Sequence, residues 1–174
     1  FLSGTLTGDV AAQVPQKLFE TPGLVPCSVY FSYYYLEACT QAGRMDRLFN
    51  RLDLWREMID HGFRTTYELD KVKVTRSDCH AWGAHPFYHF LCSVLGMRPG
   101  APGFASLDVR PDLGSLTSAC GVLPSPKGDI RMSAARSGDR TRVTIDVPEG
   151  LPSRIWDGKW VELQSGEQTI EVAG

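Results

Sequence analysis

Apolar positions recur at helical spacing up to about Gly96, and beyond it they alternate with polar ones in short runs separated by turns. The cleanest stripe is Met45, Leu48, Leu52, Trp55 and Ile59, one face of a helix expected over residues 45–60 and stopped by Gly62. A helix over residues 28–41, with Gly43 as its C-terminal cap, precedes it, and the two read as an antiparallel hairpin. Asp9 is the candidate cap of a first helix through about Glu20; Pro15 would bend or shorten it, and Thr21-Pro22-Gly23 stops it. Ser77 or Asp78 is expected to cap a last helix reaching Leu95, with Pro86 either kinking it or restarting it in a first turn.

The second half reads as strands. Ile130, Met132 and Ala134 alternate with polar residues, as do Val143, Ile145 and Val147, and Ser137-Gly138-Asp139 turns the chain between them. Trp156-Asp157-Gly158-Lys159-Trp160 predicts a two-residue type I′ hairpin, because Asp-Gly accepts positive φ angles, and Ser165-Gly166 marks another turn. Six to eight short antiparallel strands imply a small β-sandwich. The Pro/Gly-rich stretch Arg98-Pro99-Gly100-Ala101-Pro102-Gly103 is the candidate boundary, giving a helical part over 1–98 and a sandwich over 99–174. The expected class is therefore segregated α+β. So few helices of this apolarity are easier to understand as the end of a larger helical barrel than as a complete bundle.

Composition narrows the classes. The 174 residues, 43% hydrophobic and 22% charged, suit one domain or two small ones with a real core. A net charge of -2 and the lack of a basic run give no reason to expect nucleic-acid or membrane binding. The chain opens at Phe1-Leu2 without a signal peptide or a spanning stretch, and is read as a piece of something longer. Five cysteines, Cys27, Cys39, Cys79, Cys92 and Cys120, are an odd number without CxxC spacing, which favours buried free thiols over a disulfide framework.

Candidate chemistry lies between the two strongly helical stretches, in Thr65-Thr66-Tyr67-Glu68 and Ser77-Asp78-Cys79-His80-Ala81-Trp82. A carboxylate near aromatic rings and imidazoles suits a sugar site: the carboxylate acts on water as a general base and the rings hold the sugar. The competing reading of Glu68 is a solvated loop carboxylate. His85 and His89 share a helical face with no acidic or cysteine partner at ligand spacing, so packing, capping or sugar contact is read for them and for His80, not a metal. Trp82, Phe87, Tyr88 and Phe90 read mostly as core, with Trp82 the one to face a sugar. Trp156 and Trp160 either form a stacking platform or simply pack across strands.

The run from Arg76 to Gly96, RSDCHAWGAHPFYHFLCSVLG, resembles the end of the catalytic barrel in bacterial α-L-rhamnosidases, glycoside hydrolase family 78. Met58-Ile59-Asp60-His61-Gly62 with Thr65-Thr66-Tyr67-Glu68 resembles the family's helix, glycine and T-T-x-W-E passage. Pro102-Gly103-Phe104, Val109-Arg110-Pro111-Asp112-Leu113-Gly114, Gly128-Asp129-Ile130 and Trp156-Asp157-Gly158 resemble its C-terminal sandwich. The resemblance implies the last helices of an (α/α)6 barrel followed by a β-sandwich. It also implies a rhamnose-containing glycoside or polysaccharide as substrate, from which terminal α-linked L-rhamnose is released by hydrolysis with inversion of configuration. By motif, Glu68 matches the general base and His80 a histidine that contacts the sugar; Trp82 and Tyr67 are the further expected substrate contacts, although Tyr67 stands where the family has tryptophan.

The general acid belongs to an earlier part of such a barrel, and neither Asp70 nor Asp78 replaces it. The chain alone is accordingly expected to be inactive and to need the preceding part of the same polypeptide. No cofactor, metal, nucleic acid or membrane is expected; a periplasmic or extracellular parent is favoured over a cytoplasmic one, and the fragment is expected to self-associate. The alternative function is a non-catalytic carbohydrate-binding or interaction module centred on the sandwich.

Overall fold

Helical periodicity before Gly96 and alternation after it become helices and strands in that order. The computed structural model describes residues 1–69 and 76–173. Asp70, weighed above as a second carboxylate, lies outside the described residues. The chain forms two compact units, Phe1–Phe87 and Tyr88–Gly174.

In the first unit α1 spans Gly8–Glu20, α2 Ser32–Gln41 and α3 Met45–Asp60. α1 starts after Thr7, so Asp9 sits in its first turn rather than at its cap, where negative charge favours the helix N-terminus. The helix continues through Pro15. α2 begins four residues later than its spacing predicts. Residues 28–31 form a turn instead, in which the Phe31 N–H donates to Ser28 Oγ at 3.3 Å and the Ser32 N–H to Ser28 O at 3.0 Å. Gly43, at φ +64°, lets the Arg44 N–H turn back to Cys39 O at 2.8 Å, and α2 and α3 pack as a hairpin.

The buried face of α3 begins as its stripe predicts, with Met45, Leu48 and Leu52, and then moves to Leu54 and Met58. Ile59 is 71% exposed and Trp55 half-buried. The cause is tertiary: Val29 and Tyr67 close over Leu54 and Met58, with Trp55 and Phe63 packed against them. The last helix expected from Ser77 to Leu95 is broken into three. Ala81–Ala84 is a 3₁₀ turn flanked by His80, not capped by Ser77 or Asp78; α4, Pro86–His89, restarts at the proline; and Phe90–Val94 widens into a π turn. Pro86 has no N–H to offer a continuous helix, which enforces the restart.

The second unit carries, among the described residues, β1 (Met97–Pro99), β2 (Leu107–Val109), β3 (Ser118–Ser125), β4 (Gly128–Ser137), β5 (Arg140–Val147), β6 (Ser153–Trp156), β7 (Trp160–Leu163) and β8 (Gly166–Ala173). They form two four-stranded sheets, β1-β2-β6-β7 and β3-β4-β5-β8. Ile130, Met132 and Ala134 of β4 and Val143, Ile145 and Val147 of β5 are all buried, as their alternation predicts. Two expectations change. β2 and β6 pair in parallel, because β3 to β5 intervene in the chain and give the long connection that parallel pairing needs. Trp156 pairs with Trp160 across a three-residue loop, and Asp157 does not take the positive φ of a type I′ turn; only Gly158 does, at +70°. The Asp157 carboxylate instead accepts from Arg140 Nη2 at 3.1 Å and the Ala173 N–H at 2.8 Å, which holds that residue out of the left-handed region.

All five cysteines are free thiols, but Cys79 and Cys120 are exposed, so the expectation of uniformly buried thiols fails for these two. Both follow from local placement, Cys79 on the loop before the 3₁₀ turn and Cys120 on an outward position of β3. Burial pushes the Cys39 thiol up to about 12, with the Tyr35 hydroxyl opposing the shift. Thiolate is the reactive form. An alkylating reagent at pH 8 is therefore expected to label Cys79 and Cys120 in the native chain within minutes and Cys39 only after denaturation. Native labelling of Cys39 at the rate of Cys79, read by peptide mass spectrometry, would contradict this burial.

Candidate functional site

Thr65 to Glu68 is held as a second rail beside Ser77 to His80. The His80 N–H donates to Thr66 O at 2.7 Å, the Thr66 hydroxyl returns a bond to His80 O at 2.5 Å, and the Glu68 N–H donates to Ser77 O at 3.0 Å. The Thr65 hydroxyl donates to Asp78 O. The two threonines thus use their side chains as extra rungs, which a Ser or Thr hydroxyl does readily toward nearby backbone. Two segments separate in sequence are thereby brought side by side, with Glu68 and His80 on opposite rails.

Tyr67, expected to touch substrate, has no exposed surface. It packs edge-on to Phe63, with centroids 5.2 Å apart, inside the cluster of Val29, Leu54 and Met58. An aromatic side chain of this size, once buried, fixes the loop that carries it. Its neighbour Glu68 therefore emerges from an anchored backbone. The Glu68 side chain is 20% exposed and meets Arg76 Nη2 at 3.0 Å through Oε1. Arg76 is 76% exposed, so solvent screens this pair and it contributes little to stability.

His80 is half-buried, and its Nε2 is buried without a hydrogen-bond partner among the described residues. Buried polar atoms are nearly always satisfied, so an orphan imidazole nitrogen marks a place where a ligand or water completes the bond. The His80 ring lies edge-on to Trp82 at 4.5 Å, and Trp82 edge-on to Tyr30 at 5.9 Å. Trp82 is 58% exposed. It lines a cavity of about 330 Å³ together with Tyr30, Tyr33, Tyr34, Ala81 and His85.

His85 is structural at one nitrogen: Nε2 lies 3.0 Å from Val29 O, and the ring is edge-on to Trp55 at 5.1 Å and Tyr33 at 5.9 Å. Burial lowers its pKa, so the ring is neutral, and a proton on Nε2 donates to the Val29 carbonyl. Trp55 Nε1 donates to Gly83 O at 2.6 Å, and a Cβ on Gly83 would stand 2.8 Å from the Thr66 side chain. The turn that presents His80 and Trp82 is thus pressed directly against the rail that presents Glu68. His89 is buried in the second unit and bonds Ser93 Oγ at 3.0 Å through Nδ1.

The three tyrosines of the cavity were not singled out in the sequence. The run Tyr30-Phe31-Ser32-Tyr33-Tyr34-Tyr35 held the signal, since so many consecutive aromatics around one helix start cannot all face the core. Trp156 and Trp160, the other candidate platform, are edge-on at 5.2 Å, with Arg110 over the first ring at 5.2 Å and Arg154 over the second at 4.3 Å.

Residues 96–156 match the family described as the bacterial alpha-L-rhamnosidase C-terminal domain. An alpha-L-rhamnosidase of Alteromonas sp. (strain LOR) is 29% identical over 66% of this chain, which spans only 14% of that protein. The crystal structure of a GH78 family rhamnosidase from Bacillus sp. GL1 superposes with a TM-score of 0.80 and 29% identity, covering 90% of this chain and 18% of that one. The alpha-L-rhamnosidase of Dictyoglomus thermophilum gives 0.75 at 14% identity, over 95% of this chain and 23% of its own, a likeness of fold. The segregated α+β fold, the last helices of an (α/α)6 barrel followed by a β-sandwich, is the one these likenesses carry. Residues 96–156 thus match the bacterial alpha-L-rhamnosidase C-terminal domain family, and the chain as a whole is similar in sequence and fold to α-L-rhamnosidases of which it spans less than a fifth in the two at 29% identity.

Proposed function

We propose that the chain carries the general-base side of an inverting glycoside hydrolase that releases terminal α-linked L-rhamnose. The observation that carries this reading is the paired rail of Thr65–Glu68 and Ser77–His80 beside an aromatic cavity. Glu68 is the base, on a backbone fixed by buried Tyr67. His80 offers its unpartnered Nε2 to a sugar hydroxyl, and Trp82 offers a ring to the apolar face of the sugar. Tyr67 positions the loop and does not touch substrate.

In this mechanism a carboxylate takes a proton from water as the water attacks the anomeric carbon from the face opposite the departing oxygen. A second carboxylic acid, roughly 6.5–9.5 Å away, protonates that oxygen. The second acid is assigned to polypeptide upstream of these residues. The small share of the relatives' length that this chain spans supports that assignment. Terminal rhamnosides are the substrates on the strength of the relatives' activity.

The test is the hydrolysis of an aryl α-L-rhamnoside followed by proton NMR. The 174 residues alone are expected to give no turnover. Joined to their natural upstream sequence they are expected to release β-rhamnose first, with the α anomer appearing only by mutarotation. First-formed α-rhamnose would refute inversion, and turnover by the isolated chain would refute the division of the two carboxylates.

A further inference from the structure

We propose that Thr66 is a positioning residue for His80, and that it grips the His80 backbone from both sides so that the imidazole meets the sugar in one orientation. His80 belongs to no helix and no strand. It sits in extended backbone, at φ -121° and ψ 99°, just ahead of the 3₁₀ turn Ala81–Ala84. A residue so placed has no ladder of its own, and both its backbone groups must find partners elsewhere. Thr66 supplies them. The His80 N–H donates to Thr66 O at 2.7 Å, and the Thr66 hydroxyl donates to His80 O at 2.5 Å. With both flanking peptides held, the direction in which the ring leaves the backbone is set.

The threonine side chain is itself locked. A Cβ added to Gly83 would stand 2.8 Å from both Cβ and Oγ1 of Thr66 and 3.3 Å from Val29 Cγ1, so the hydroxyl lies in a slot that only a bare glycine leaves open. Trp55 Nε1 donates to Gly83 O at 2.6 Å and holds the same turn through its backbone. The Thr66 hydroxyl does more than satisfy a carbonyl. The Gly83 N–H already donates to His80 O at 3.0 Å, so that oxygen would keep a partner without Thr66. What the second bond adds is direction: a carbonyl whose two lone pairs are taken by donors from two different segments cannot swing. The ring so aimed carries a buried Nε2 without a hydrogen-bond partner among the described residues, and it lies edge-on to Trp82 at 4.5 Å. Such aim matters, because misplacing a binding group by about 1 Å can cost ~10²-fold in rate.

The role rests on His80 touching sugar, as proposed above, and the experiment keeps the two apart. In NMR spectra of the 174-residue chain the ring protons of His80, identified by their loss in His80→Ala, are expected to be displaced by the ring current of Trp82. Thr66→Val, which matches threonine in shape but has no hydroxyl, should return them toward the position of an exposed histidine, and Thr66→Ser should keep them displaced. In the chain joined to its upstream sequence, Thr66→Val should raise KM for an aryl α-L-rhamnoside about tenfold with kcat within about twofold, and Thr66→Ser should restore KM. In a His80→Ala background Thr66→Val should add nothing further to KM, since it acts only through that ring. Unchanged His80 signals in Thr66→Val, no rescue by Thr66→Ser, or full additivity with His80→Ala would each overturn the proposal. Where Thr66→Val unfolds, Thr66→Ala removes the hydroxyl without crowding Gly83 and is read in the same way; unfolding of both would make Thr66 a folding residue and overturn the proposal as well. Failure of the rhamnosidase reading would thus appear as a joined parent chain without hydrolysis, and failure of this one as ring signals indifferent to the hydroxyl.

Discussion

Glu68→Gln is expected to lower kcat for rhamnoside hydrolysis about 10³-fold in the chain joined to its upstream sequence, the scale of a lost general base. The amide preserves the size of the side chain but cannot accept a proton from water in the transition state. Folding should be unaffected, because the only ion pair Glu68 makes among the described residues is with the highly exposed Arg76, and its backbone is tied to Ser77 O by its own N–H. KM should change little, since sugar contact is assigned to His80 and Trp82. A variant that keeps kcat within tenfold of the parent would remove Glu68 from the reaction, whatever the family likeness. A variant whose thermal unfolding collapses would instead make Glu68 a structural residue.

Gly96→Ala is expected to destabilise the chain by about 4 kcal/mol or more, at the severe end for one substitution. Gly96 lies at φ +69°, and a Cβ there would fall 1.9 Å from Arg110 O and 2.1 Å from its carbonyl carbon. Both obstacles are backbone, so no rotamer change relieves them. The crossing is fixed on both sides: the Arg110 N–H donates to Gly96 O at 3.0 Å and the Asp112 N–H to Val94 O at 2.9 Å. β1 begins at the next residue and pairs with β2, so a shift at Gly96 would propagate into that pairing. Gly138→Ala supplies the control. It has a similar φ, +66°, with nothing within 4 Å of the added carbon, so it should lose only the left-handed penalty of about 1–2 kcal/mol. Chemical denaturation midpoints compare the two directly. Equal losses would mean that the close crossing contributes nothing beyond φ.

Which stretches are helices and which are strands was legible in the amino-acid order, because that information is local. Period-3.6 spacing carried α3 from Met45 to Asp60, and period-2 spacing carried the inward rows of β4 and β5. Glycine punctuation was equally legible: Gly43, Gly62 and Gly96 all take the positive φ that stops a helix. The carboxylate, the histidine and Trp82 could be singled out as candidates because a carboxylate beside imidazole and indole rings suits sugar chemistry, with a solvated loop carboxylate as the competing reading. Their registration side by side could not be seen in the sequence.

That registration comes from contacts between residues distant in sequence. Thr65 and Thr66 reach Asp78 and His80 through space, and Tyr67 becomes an anchor because Val29, Leu54 and Met58 surround it. The same closure turned the buried face of α3 from Ile59 to Met58, against its own stripe. The hairpin at Trp156 abandoned its two-residue turn because Arg140 and Ala173, distant in sequence, hold the Asp157 carboxylate. The parallel pairing of β2 with β6 likewise depends on which strands meet, a choice that side-chain alternation leaves open because alternation reads the same in either direction.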